Sequence, residues 1–134
     1  MFVDASTIVA MITQEPEATL FLDQVEAADD PITSAIAIYE AALGIFRKRQ
    51  STVDEAYDDV RQLLEEANIR VVGVGEAEAI EASSAFARYG RGRSHPAQPN
   101  LGDCFAYAVA RTNGVPLLFK GNDFSKTDIE LAWS

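Results

Sequence analysis

Four short apolar runs, separated by sequence of helical period, constrain this chain more than any other feature. Met1-Phe2-Val3, Pro31-Ile32-Thr33, Ile69 to Val72 and Val115 to Phe119 have the length and composition of buried strands. The intervening stretches predict helices over Thr7–Ile12, capped by Ser6, over Glu17–Ala28 behind Pro16, and over Ser34–Gln50. Further helices are expected over Thr52–Ala67, Glu76–Arg88 and Leu101–Asn113, the last capped by Asn100 and stopped by Gly114. Leu20, Phe21 and Val25 face inward on the second helix, and Ile36, Tyr39, Leu43 and Phe46 form the seam of the third. Val53, Ala56, Val60, Leu63 and Leu64 make the apolar face of the fourth. Gly90 to Pro99 is a loop, Gly121 to Lys126 a turn, and Thr127 to Leu131 a short edge strand. Strands alternating with helices specify an α/β fold, a mainly parallel sheet flanked by helices, whose working site lies at the carboxyl ends of the strands.

Composition narrows the function. The 134 residues suit one domain, and 48% hydrophobic content supplies a core. No stretch approaches a membrane span, and the start reads as mature domain sequence without a secretory leader, so a cytoplasmic setting is expected. One cysteine and one histidine exclude an internal disulfide, a Cys/His zinc site and a two-histidine ribonuclease. Neither a nucleophile elbow nor a Walker A loop is present. His95 falls in the loop, and Cys104 reads as a small core residue. A net charge of -10 argues against a nucleic-acid binder that works by broad electrostatics. It leaves two readings of the acids: a solubilising surface, or a subset gathered around a divalent cation.

Most acids fall on solvated helix faces, but four are embedded in apolar sequence. Asp4 ends the first strand, as a helix cap or a site residue. Glu40 lies in ITSAIAIYEAALGIF, where a buried carboxylate requires a partner such as Arg47, a boundary position or a function. Asp103 opens a helix, where the dipole favours an acid, yet its face continues through Ala106, Tyr107 and Ala110. Asp123 follows the last strand, an ordinary place for a turn residue, with Asp128 a weaker candidate beyond it. Converging at one carboxyl-end cleft, four carboxylates would repel unless protonated or bridged by a cation. Hard oxygen donors favour Mg²⁺ or Mn²⁺, which can activate water and neutralise a phosphodiester.

MFVDAS, the isolated Glu40, LGDCFAYAVA and LLFKGNDFSKTDI together resemble the PIN-domain ribonucleases, most nearly the VapC toxins of bacterial toxin–antitoxin pairs. The resemblance spans essentially the whole chain, 1–134, as one PIN-like domain. It implies an α/β sandwich and a Mg²⁺-dependent endoribonuclease site at which Mn²⁺ can substitute. Asp4 and Asp103 would be the principal metal ligands. Glu40 would complete the pocket, through water or by orienting the attacking water, and Asp123 matches the most variable acidic position. Ser6 matches a small hydroxyl residue that bonds the first Asp or phosphate. The resemblance also implies a homodimer and a VapB-like antitoxin that wraps the toxin and blocks its site.

Among the cations, Arg47, Arg91, Arg93 and Lys120 are candidates for an RNA track beside the acids, with helix-end and loop solvation as the plainer account. Surface around Ile12, Leu20 and Phe21 is a candidate for partner binding. Two other classes compete with the nuclease: a non-catalytic α/β protein-binding module whose acids are structural, and a metal-dependent phosphohydrolase acting on small esters.

Overall fold

A computed structural model describes residues 1–89, 100–121, 124 and 127–129. Its strands are β1 (Phe2–Val3), β2 (Ile32–Ser34), β3 (Arg70–Val72) and β4 (Leu117–Leu118). Its helices are α1 (Ala5–Ile12), α2 (Ala18–Ala27), α3 (Ala35–Arg49), α4 (Val53–Glu66), α5 (Glu76–Tyr89) and α6 (Leu101–Thr112). Among the described residues no helix is long and apolar enough to cross a membrane.

The strands form one parallel sheet in the order β3-β2-β1-β4, with Phe2 beside both Ile32 and Leu117, and Val3 beside Leu118. From β1 the chain builds outward through β2 and β3, then returns to place β4 on the other flank of β1. That reversal opens a crevice at the carboxyl ends of β1 and β4. Phe2, Val3, Leu117 and Leu118 are completely buried there, and the Thr7 hydroxyl donates to the Leu118 carbonyl at 2.9 Å. Thr33 donates likewise to the Val3 carbonyl at 2.8 Å, so buried hydroxyls tie α1 to β4 and β2 to β1.

The sheet and all six helices match the sequence reading, with ends shifted by one or two residues, but several packing faces differ. The expected α3 seam is turned outward: Tyr39 is 65% exposed and Phe46 38%, whereas Ala37, Ala41, Ala42 and Ile45 are buried. Close approach explains the reversal. A Cβ on Gly44 would stand only 2.9 Å from Val9 Cγ2, so α3 packs on α1 through its small residues and excludes its aromatics. On α2, Phe21 and Val25 are buried as expected but Leu20 is exposed, and fully buried Phe21 is unavailable as partner-binding surface. Val53 on α4 is also exposed. Thr127–Ile129 bends instead of forming an edge strand; Leu131 lies outside the described residues.

Candidate active site

Asp4 leaves β1 in extended conformation and becomes the N-cap of α1, its Oδ2 accepting the Ser6 backbone N–H at 2.8 Å. The sequence offered both Ser6 and Asp4 for that cap. The Ser6 hydroxyl instead accepts the Lys120 backbone N–H at 3.0 Å, tying the end of β4 to the first turn of α1. Asp4 is only 5% exposed. Burial drives its pKa from 3.8 to about 6; hydrogen bonds from Ser6 and Ala5 oppose the rise, and the charge of Asp103 adds to it.

Glu40 reaches the same crevice from α3. Its pKa is raised from 4.5 to about 7, chiefly by desolvation and then by the charges of Asp4 and Asp103. Arg47, proposed from sequence as its partner, is exposed and lies two turns further along α3, roughly 10 Å by helical rise. No ion pair to Glu40 exists among the described residues.

Asp103 is the third residue of α6 and closes a capping box. Its Oδ2 accepts from the Asn100 N–H at 3.1 Å while its own N–H donates to Asn100 Oδ1 at 2.9 Å. The structural account of Asp103 is therefore correct as far as it goes. The box also fixes the carboxyl at the mouth of the crevice.

Together Asp4, Ser6, Glu40 and Asp103 line one cleft of about 330 Å³, with Ala5, Val9, Glu15, Phe119 and Lys120. Three of the four expected acids and two expected RNA contacts, Ser6 and Lys120, thus meet. Arg47 is not part of the cleft lining, and Asp123, Arg91, Arg93 and His95 lie outside the described residues. Asp128 is engaged elsewhere, since Arg88 and Arg111 pair with it at 3.3 and 3.0 Å, and the Tyr107 and Tyr89 hydroxyls donate to it. Cys104 is buried and its thiol pKa raised by that burial, in keeping with a core role.

Two features at the site were not evident from the sequence. Gly102 lies against Glu40, and a Cβ there would collide with both carboxylate oxygens. The signal was a glycine in the first turn of a helix, where intrinsic propensity disfavours it. The other is Glu15, whose neighbourhood Thr-Gln-Glu-Pro-Glu reads only as a polar corner.

Among the described residues no three Asp, Glu, His or Cys side chains are close enough together to cage an ion unaided. A hydrated cation makes a different demand, since Mg²⁺ keeps several waters and uses one or two carboxylates. Asp4, Glu40 and Asp103 are hard oxygen donors, the charge of Asp103 raising the pKa of Asp4 and the charges of Asp4 and Asp103 that of Glu40, and the donor set fits such an ion.

The chain is similar to known proteins along nearly its whole length. The PIN domain family matches residues 1–130. Ribonuclease VapC28 of Mycobacterium tuberculosis is 39% identical over 132 residues, 98% of this chain and 97% of its own. VapC ribonuclease R02377 of Rhizobium meliloti is 35% identical over 139 residues, covering 96% and 98% of the two chains. The crystal structure of Mycobacterium tuberculosis VapC20, a sarcin-ricin loop cleaving toxin, is similar with a TM-score of 0.74 over 96% of this chain and 95% of that one. At 17% identity that likeness concerns the fold. The chain belongs to the PIN-domain family, among its VapC ribonucleases.

Proposed function

We propose that this protein is a Mg²⁺-dependent endoribonuclease, the toxin of a toxin–antitoxin pair, with Mn²⁺ able to substitute. The observation that carries the reading is the meeting of Asp4, Glu40 and Asp103, from three separate elements, in one cleft at the strand reversal. Helix capping accounts for an oxygen of Asp4 and one of Asp103. It leaves Glu40 unexplained, a partly desolvated carboxylate facing two others. A purely structural module has no use for that arrangement, whereas a cation-dependent nuclease requires it.

Asp4 and Asp103 would hold the ion, which when bound supplies charge neutralisation of a phosphodiester and a more acidic water. Asp4 is held by the first turn of α1 and Asp103 by its capping box, so neither must reorganise on binding. Glu40, with its pKa near 7, accepts a proton from an attacking water and orients it. Ser6 ties the end of β4 to the first turn of α1, and Lys120 contributes positive charge at the cleft wall. Asp123 is proposed as a further acidic contributor, and Arg47, Arg91 and Arg93 as more distant RNA contacts. The 134 residues are read as one PIN-like domain acting in the cytoplasm as a homodimer, restrained by a VapB-like antitoxin. The family membership supports that assignment of partners.

The test is calorimetric titration of Mn²⁺ into antitoxin-free wild type and Asp4→Asn, with folding verified by circular dichroism, followed by RNA cleavage assays. Metal binding and cleavage by wild type, both lost in the folded variant, are expected. A wild type that cleaves no RNA and takes up no ion at millimolar metal, even with RNA present, returns the chain to the binding-module reading. Faster turnover of small phosphate esters than of RNA would favour the phosphohydrolase.

A further inference from the structure

Among the described residues lining the cleft, one cation faces four carboxylates: Lys120 against Asp4, Glu15, Glu40 and Asp103. An RNA strand brings a phosphate on each side of the one to be cut, and an ion held by Asp4 and Asp103 would neutralise only the central one. The flanking phosphate needs a cation of its own.

Lys120 follows β4 at the crevice, and its backbone is fixed by the bond to Ser6. Its ammonium is held just as firmly. Nζ contacts Glu15 Oε1 at 2.8 Å and Glu17 Oε2 at 3.2 Å. The same Glu15 oxygen receives Lys48 Nζ at 2.7 Å from the end of α3. Glu15 reaches this position because the chain turns beyond α1 through Gln14, whose φ of +55° is left-handed, and the Glu15 N–H returns to the Ala10 carbonyl at 3.0 Å. Glu15 is 18% exposed at its side chain, against 47% for Lys48, so the carboxylate is the sheltered centre of the group. An ammonium has three donors. Two are taken by Glu15 and Glu17, which leaves the third for the cleft that Lys120 lines.

We propose that Glu15, assisted by Glu17, is a positioning residue that aims the Lys120 ammonium at the phosphate flanking the scissile bond. This rests on the nuclease reading and adds to it a residue that touches neither metal nor RNA but governs one that does. Glu15 screens Lys120 only in part, because Lys48 balances its charge from the other side.

A fluorescent mixed-sequence single-stranded RNA, titrated by anisotropy over a range of salt, tests the proposal alongside steady-state cleavage. Lys120→Ala should raise Kd and KM several-fold with kcat much less affected. It should also flatten the slope of log affinity against log salt by about 0.7, the value of one lost phosphate contact on a single strand. Lys120→Arg should restore much of both. Glu15→Ala should shift KM in wild type and produce no further shift in a Lys120→Ala background, since it acts through that lysine. Lys48→Ala removes the counter-charge of Glu15 outside the cleft, so KM should rise less than in Lys120→Ala while the salt slope stays that of wild type, which separates a cation that meets phosphate from one that acts through Glu15. Additive effects of Glu15→Ala and Lys120→Ala, or an unaltered salt slope in Lys120→Ala, overturn the proposal while cleavage by wild type still upholds the nuclease. A wild type that neither binds nor cleaves RNA overturns both.

Discussion

Glu40 and Gly102 fit together as carboxylate and vacancy: the space a Cβ on Gly102 would fill is taken by both Glu40 oxygens. Helix α6 therefore begins with a residue of poor helix propensity at the point where α3 presents an acid. Gly102→Ala should push Glu40 out of the cleft while giving α6 a better helix former, by about 1 kcal/mol. Because steric displacement opposes that gain, thermal stability should change by only a few degrees. RNA cleavage should fall by roughly 10-fold or more, as expected when a positioned catalytic group is displaced. Unchanged cleavage would show that Glu40 works from elsewhere, or not at all.

The acids should leave a mark on stability in the absence of metal. Asp4 has a folded pKa of about 6 against an ordinary 3.8, and Glu40 about 7 against 4.5. For both, the folded state holds its proton more tightly than the unfolded chain. Neither group affects stability well below its ordinary pKa, where both states are protonated. As pH rises through these intervals the unfolded chain ionises first and stability is lost, the loss being complete above about 7. For buried Asp4 this amounts to at most about 3 kcal/mol, while the contribution of half-exposed Glu40 is smaller. Melting in EDTA should therefore show a lower Tm at pH 7 than at pH 5. Asp4→Asn keeps a capping side chain and should flatten the decline, and millimolar Mn²⁺ at pH 7 should recover Tm in wild type. A metal-free Tm that climbs between those pH values contradicts the site electrostatics.

Asp128 should behave in the opposite way to the cleft acids. Its carboxylate joins Arg88 on α5, Arg111 and Tyr107 on α6, and the tail of the described chain. Arg88 also stacks near the rings of Tyr89 and Tyr107, at 5.1 and 5.7 Å. Asp128→Asn leaves two guanidinium groups without their shared anion and, since all three groups are more than 40% exposed, should cost about 1 kcal/mol or less. Cleavage per folded molecule should stay within about twofold, since the residue is not part of the cleft. Loss of activity without loss of stability would place Asp128 among the catalytic acids after all.

These contrasts mark what the sequence could and could not disclose. Strand and helix positions were legible because apolar runs, prolines and cap residues are local signals. Three of the cleft acids were legible because a carboxylate in apolar sequence must be accounted for. The inward face of α3 was not, because helix periodicity weights large residues, while this helix buries Ala37, Ala41 and Ala42 and sets Gly44 against Val9. Nor was the cap of α1, since Asp4 and Ser6 both have the chemistry and only backbone geometry chooses between them. Glu15 joins Lys120 across 105 positions of sequence, and nothing local hints at that meeting. Gly102 becomes meaningful only once Glu40 is known to lie beside it.

Asp103 carries two roles that a single substitution can separate. As an N-terminal helix acid it gains from the dipole, worth about 0.3–1 kcal/mol, and from its bond to Asn100. As a neighbour of Asp4 and Glu40 it raises the pKa of each, so its charge works against the metal-free fold. Asp103→Asn retains an oxygen to accept from Asn100 and removes the charge from both balances. The lost dipole interaction and the relieved repulsion are of similar size, so metal-free stability should stay within about 1 kcal/mol of wild type or rise. Removing the charge of a proposed metal ligand has no such offset, and cleavage should fall by at least about 100-fold with Mn²⁺ affinity falling alongside it. Chemical denaturation in EDTA gives the first quantity, and RNA cleavage with metal titration the second. A variant that unfolds readily yet cleaves normally would make Asp103 a helix cap alone.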